Sequence, residues 1–163
     1  MAEVIGIAEK LPENPQYFKQ FDIGETVTIP EQKPDMEELV SVMIEPEVIS
    51  MKVIDTPCIK SYEGQLLSGK KLALELKLNQ KITYIADDAE QSVHAAHFEN
   101  ILRSVFVVIP QEVDGTAVEK FVNFDRVCVN PFIENIFAEQ QDERTVFKNV
   151  TLLIDVSFQT CEE

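Results

Sequence analysis

The sequence predicts an all-β domain, an antiparallel β-sandwich or open barrel with one short helix and an extended N-terminal arm. Three stretches carry that expectation. In residues 72–85, Leu72, Leu74, Leu76, Leu78, Ile82 and Tyr84 share one parity, while Glu75, Lys77, Asn79, Lys81 and Thr83 share the other. This is the period-two pattern of a strand with one dry and one wet face; a period of 3.6 would scatter the leucines around a cylinder. Residues 146–158 alternate again through Val150, Leu152, Ile154, Val156 and Phe158. Between them, Val105-Phe106-Val107-Val108-Ile109 is a continuous apolar run stopped by Pro110, the form of a buried strand. At about 3.3 Å per residue the first stretch would reach roughly 45 Å, so the rest of the chain must supply a second apolar face to cover it.

The chain has 163 residues, which fits one domain able to bury a core without staples. Its net charge of −15 argues against nucleic acid, whose phosphates need clustered Lys and Arg, and against anionic membrane surfaces. Such a charge favours solubility and suits a basic partner or divalent cations. Met1-Ala2-Glu3-Val4-Ile5-Gly6 carries neither a basic region nor a long apolar one, so no secretory signal is expected. No apolar run approaches the roughly 20 residues of a membrane span, and no membrane insertion is expected.

Taken in order, residues 1–24 join short apolar groups to Pro12, Asn14 and Pro15, with Tyr17, Phe18 and Phe21 as aromatic anchors. This suits an extended arm ahead of a single β domain over 25–163. Residues 25–30 read as a short strand closed by Pro30. Residues 33–40 read as a helical turn, with Asp35 as N-cap and Glu38 as its capping-box partner. Residues 42–54 are β-rich, with Pro46 marking an edge or bulge. Asp55-Thr56-Pro57 makes a turn, and a short strand is expected around Leu66 and Leu67. The polar residues 87–91 predict a hairpin returning through 92–98. Asp114-Gly115 is a turn signal. Residues 118–129 read as a strand whose register slips, either buried on both faces or bulged. Asn130-Pro131 predicts a break, and 132–142 stays open between a short helix and a loop.

Little of this points to chemistry. His94 and His97 are the only histidines, and three residues apart on a strand they face opposite ways, so they do not jointly hold a metal. The expectation is one buried and hydrogen-bonded, the other exposed. The acidic pairs Asp87/Asp88, Glu37/Glu38, Asp142/Glu143 and Glu162/Glu163 fall mostly in turns or termini, where general acid–base work finds no shared cleft. Loose calcium binding by Asp87, Asp88 and Glu90 is conceivable, without EF-hand spacing. No nucleophile elbow and no Gly-rich phosphate loop occur. No catalytic residue, metal site or cofactor is expected, and the protein reads as no enzyme.

Several segments, in order and over nearly the whole chain, resemble the SPOCS domain family. They are Phe18-Lys19-Gln20-Phe21; Ile29-Pro30-Glu31-x-Lys33-Pro34-Asp35-x-Glu37; Gly64-x-x-Leu67-x-Gly69-x-x-Leu72; Gln80-Lys81-Ile82-x-Tyr84-x-Ala86-Asp87; and Gln91-Ser92-Val93-His94-Ala95-Ala96-His97-Phe98. One departure is local: a Pro-Phe-like pair is expected after Glu99, where Asn100-Ile101-Leu102 stand. The resemblance implies a domain of endospore-forming anaerobes associated with spore coat and exosporium. It implies a structural protein made in the mother-cell cytoplasm and assembled on the spore surface, with itself and other coat proteins as partners. The competing expectation is a β-sandwich binding module for a glycan or a basic coat partner.

Two sets of residues would serve self-association. Tyr17, Phe18 and Phe21 are too apolar for a solvated tail, and would dock either on their own domain or on a neighbouring copy. Cys161, near the terminus, and Cys58, beside Pro57, would be reachable for intermolecular crosslinking. Cys128, in an apolar stretch, would be an inert core thiol. With three widely spaced cysteines, neither a disulfide framework nor a metal knuckle is indicated.

Overall fold

Residues 70–86 form an interior strand whose strict alternation buries one face and leaves the other toward solvent. The computed structural model describes residues 2–57, 68–87 and 92–158, without the side chains of residues 100 and 101. Its elements in chain order are β1 (Glu3–Ile5), β2 (Tyr17–Thr28), β3 (Met36–Asp55), β4 (Lys70–Ala86), β5 (Val93–Ile109), β6 (Glu112–Val113), β7 (Thr116–Ala117), α1 (Val118–Asn123), β8 (Cys128–Gln140) and β9 (Thr145–Ser157). The described residues form a four-stranded sheet β1-β3-β4-β5, a three-stranded sheet β2-β9-β8 and the small hairpin β6-β7. In β4 every second residue from Leu72 to Ala86 is buried. In β9, Val146, Val150, Leu152, Ile154 and Val156 are buried in the same way. These two faces meet, and the result is an all-β sandwich without a closed barrel.

Three expected elements change type. Residues 33–40 form no helical turn; Met36 begins β3. Met36, Leu39 and Val42 are all buried at a spacing of three, which suits a helix. Bulges between Met36 and Glu38 and between Leu39 and Ser41 each insert a residue, so the same spacing keeps one face inward on a strand. Asp35 caps nothing and instead accepts from Arg144 Nη1 at 2.9 Å. The reverse happens at 118–129, where the register slip is a helix: Val118 and Phe121 lie one turn apart in α1 and are both buried. Phe121 meets Phe158 edge-on at 5.8 Å, and this packing holds a six-residue helix that has no side-chain N-cap.

Residues 130–142 are neither helix nor break, since β8 runs through Pro131. Proline is tolerated there because β8 is an edge strand. Pro131 shares parity with Ile133, whose carbonyl faces away from β9 and accepts from Ala8 N–H at 2.9 Å. No turn follows Glu99; β5 is continuous, with a bulge opposite Leu78 and Gln80. The expected hairpin is present, closed by Ala86 N–H donating to Ser92 O at 2.6 Å. The short strand expected around Leu66 and Leu67 lies outside the described residues.

The N-terminal segment is a strap between the sheets. β1 pairs in parallel with β3 through Val4 and Val42, and three residues later Ala8 bonds to β8. The boundary drawn after residue 24 falls inside β2, which pairs with β9 from Tyr17 to Thr28. Gly6 makes the strap possible: its φ is +124°, and a Cβ there would sit 2.1 Å from Ile44 O. Gly6→Ala is therefore expected to lower stability by about 1–3 kcal/mol, read from urea unfolding. Gly24→Ala, whose new carbon would meet nothing nearer than 3.7 Å, serves as the control and should change little. Equal effects would show that the strap does not hold the sheets together.

Opposite the strap, β2 and β5 lie beside each other as edges of their sheets and are not paired to one another. The corner between β2 and β3 is held by Arg144. Its Nη1 donates to Lys33 O at 3.0 Å, and its Nη2 to Ile29 O at 2.9 Å and Pro30 O at 2.6 Å.

Candidate functional site

Three polar side chains occupy inward positions of their strands. Lys148 stands between Val146 and Val150 on β9, Glu25 between Ile23 and Val27 on β2, and Gln80 between Leu78 and Ile82 on β4. Glu25 and Lys148 are direct cross-strand partners, and Gln80 reaches them from the facing sheet. Lys148 is 0% exposed and Gln80 2%. Glu25 Oε1 accepts from Lys148 Nζ at 2.9 Å and from Gln80 Nε2 at 2.7 Å. Its other oxygen accepts from Arg103 Nη2 at 3.3 Å, at the solvent end of the seam between β2 and β5. Burial pushes the Lys148 ammonium toward its neutral form, against the pull of Glu25. Gln80 Oε1 is buried and has no hydrogen-bond partner among the described residues.

Sequence reading missed this cluster, although its signal was present. A charged or amide residue at the apolar parity of a strand is a buried polar group that needs partners. Gln80, Lys148 and Glu25 each meet that description within strands the alternation had already located.

The aromatic residues expected to mediate self-association divide. Tyr17 lies inside its own domain, edge-on to Phe158 at 5.5 Å, and Phe21 is half-buried against the core. Phe18 is 44% exposed and lines an apolar groove of about 550 Å³ with Val108, Ile109 and Pro110, where the start of β2 faces the end of β5. Cys58 and Cys161 lie outside the described residues. Cys128 is buried as expected, yet it is disulfide-bonded and no inert thiol; its partner also lies outside the described residues. It opens β8 opposite Ser157, at the rim of its sheet and not in mid-core, which is where a disulfide can reach it.

His94 is half-buried and stacked on Tyr84 at 5.9 Å, whereas His97 is exposed. Among the described residues, no group of three or more His, Cys, Asp or Glu is placed to hold a metal. No helix of the described residues is long and apolar enough to cross a membrane. A polar cleft of about 830 Å³ opens between Asn14, Tyr17, Asp114 and Asp155. Burial pushes the Asp155 carboxyl above the usual carboxylate range.

Fold and site together define a two-sheet β-sandwich whose neighbouring edge strands are unpaired among the described residues, with an ionic cluster running from its core to the seam. Set against models of protein families, curated proteins and solved structures, the chain matches none.

Proposed function

We propose that this protein is a non-enzymatic structural component that associates with itself through its open sheet edges. The observation that supports this is the seam: among the described residues β2 and β5 present unpaired edges side by side, and Phe18 lies exposed on the apolar groove between them. Unpaired edges are templates for strand addition, and an aromatic beside them supplies burial when a second copy arrives. The setting, a spore coat or exosporium with other coat proteins as partners, rests on the resemblance of the segments from Phe18 to Phe98 to the SPOCS family.

Size-exclusion chromatography with light scattering tests the reading. The intact chain should run as a large or laddered assembly, and Phe18→Asp should reduce it to a monomer with an unchanged melting temperature. A sharp monomer from the unaltered chain at high concentration overturns the proposal.

A second reading has its own observation. The polar cleft is lined by Glu112, Asp114 and Asp155 and by no Lys or Arg among the described residues, which suits a basic protein partner or a glycan. A monomer that binds a basic coat protein in a salt-sensitive way would favour it.

A further inference from the structure

We infer that Lys148, Gln80 and Glu25 are a self-processing triad in which Lys148 Nζ displaces the side-chain nitrogen of Gln80, joining the two sheets by an internal isopeptide bond. This goes beyond the structural reading above and does not depend on it. The geometry carries it. One carboxylate oxygen, Glu25 Oε1, touches both the attacking nitrogen at 2.9 Å and the leaving nitrogen at 2.7 Å. A base in contact with both nitrogens can take the proton that one must lose and deliver it to the other, the requirement for transferring an acyl group between amines.

The surroundings meet the remaining requirements. The nucleophile must be an uncharged amine, and the dry interior lowers the proton affinity of Lys148 in that direction. Water would compete for the Gln80 carbonyl carbon, and Lys148 and Gln80 are closed to it. Gln80 Oε1, unpartnered among the described residues, is not tied down by a hydrogen bond in the ground state. Arg103, on the other oxygen of Glu25 at 3.3 Å, stays positive while Lys148 is consumed and keeps the carboxylate in place. The three groups are fixed on separate strands, so bringing them together carries no further entropic penalty at reaction.

The step balances without any co-reactant. Lys148 Nζ forms a bond to Gln80 Cδ; Glu25 takes a proton from Nζ and passes it to Nε2; the Cδ–Nε2 bond breaks. The nitrogen departs as ammonia, or as ammonium where Lys148 began protonated. What remains is a neutral amide between β4 and β9, each an interior strand of its own sheet. A buried ion pair has become a covalent tie.

Mass spectrometry of the folded, purified chain tests this directly. After reduction and denaturation the intact mass should be lower than the sequence mass by one ammonia. Protease digestion should yield a branched peptide joining the segments that contain Gln80 and Lys148. Lys148→Arg, a cation that cannot form the amide, and Glu25→Gln, shown to be folded by circular dichroism, should both retain the full mass. The unaltered chain at its full sequence mass overturns the proposal whatever the variants do. So does an ammonia loss that maps within one linear peptide, as a succinimide at an asparagine would, or the loss of one water through a Lys148–Glu25 bond. A folded Glu25→Gln chain that still forms the branch overturns the role of Glu25 as proton carrier.

Discussion

Leu76→Asp should leave the domain insoluble or unfolded, while Glu75→Lys, one residue away, should fold like the unaltered chain. Leu76 is 0% exposed in β4, the strand that every other strand of its sheet reaches directly or through one neighbour. A carboxylate there stands opposite Arg103, which Glu25 already engages, and at a fully buried position its charged form still costs several kcal/mol, a large share of the roughly 5–15 kcal/mol that holds a domain of this size together. Glu75 faces the other side of the same sheet, within reach of Ser50 Oγ, where a lysine finds water. Soluble expression and circular dichroism distinguish the two. If both variants fold, the apolar face of β4 is not what organises the protein.

Lys148→Met should destabilise the domain by about 3–5 kcal/mol, because it removes the ammonium that pairs with a buried carboxylate and leaves Glu25 to the Gln80 amide and the half-exposed Arg103. Methionine fills much of the lysine stem, so the loss is electrostatic more than volumetric. The double variant Lys148→Met/Glu25→Gln should then be more stable than Lys148→Met itself, since an amide is less costly to bury than a lone carboxylate. Neither variant can form the Lys148–Gln80 amide, so the comparison reads only the cost of burying the Glu25 carboxylate without its ammonium. Urea unfolding of both measures the difference. A double variant no more stable than the single one would show that Arg103 and Gln80 satisfy Glu25 without Lys148.

Periodicity revealed the strands and concealed how they pair. The parity of Leu72 to Tyr84 shows in the sequence because β4 is regular, with no bulge in its own alternation. Asp35 and Glu38 misled because a capping-box spacing is a local signal, while Met36 and Leu39 are carried into a strand by bulges that it does not record. Val118 and Phe121 misled in the opposite sense, since one turn of helix supplies too few repeats to stand out from a strand. Nor could any local pattern show that β2 takes β9 as its partner: parity records which face is dry, never which strand lies alongside. The buried cluster was legible residue by residue in Glu25, Gln80 and Lys148, but its assembly from three strands is a product of that unrecorded pairing.

The pairing of β2 with β9 also dictates an order of events during synthesis. β3, β4 and β5 are consecutive antiparallel neighbours, so each can settle on the one before it as the chain leaves the ribosome. β2, made earlier, has to wait for residues 145–157, the last strand, before its backbone is satisfied along one side. Through that interval Phe18, Phe21 and Ile23 ride on an unclaimed strand, and the sandwich lacks the half that covers Leu74, Leu76 and Leu78. Long-range closures of this kind are slow and leave apolar edges open to other nascent chains. Two molecules translated close together could exchange their β2 strands at this stage, so crowding at the site of synthesis would decide whether a chain closes on itself or on its neighbour.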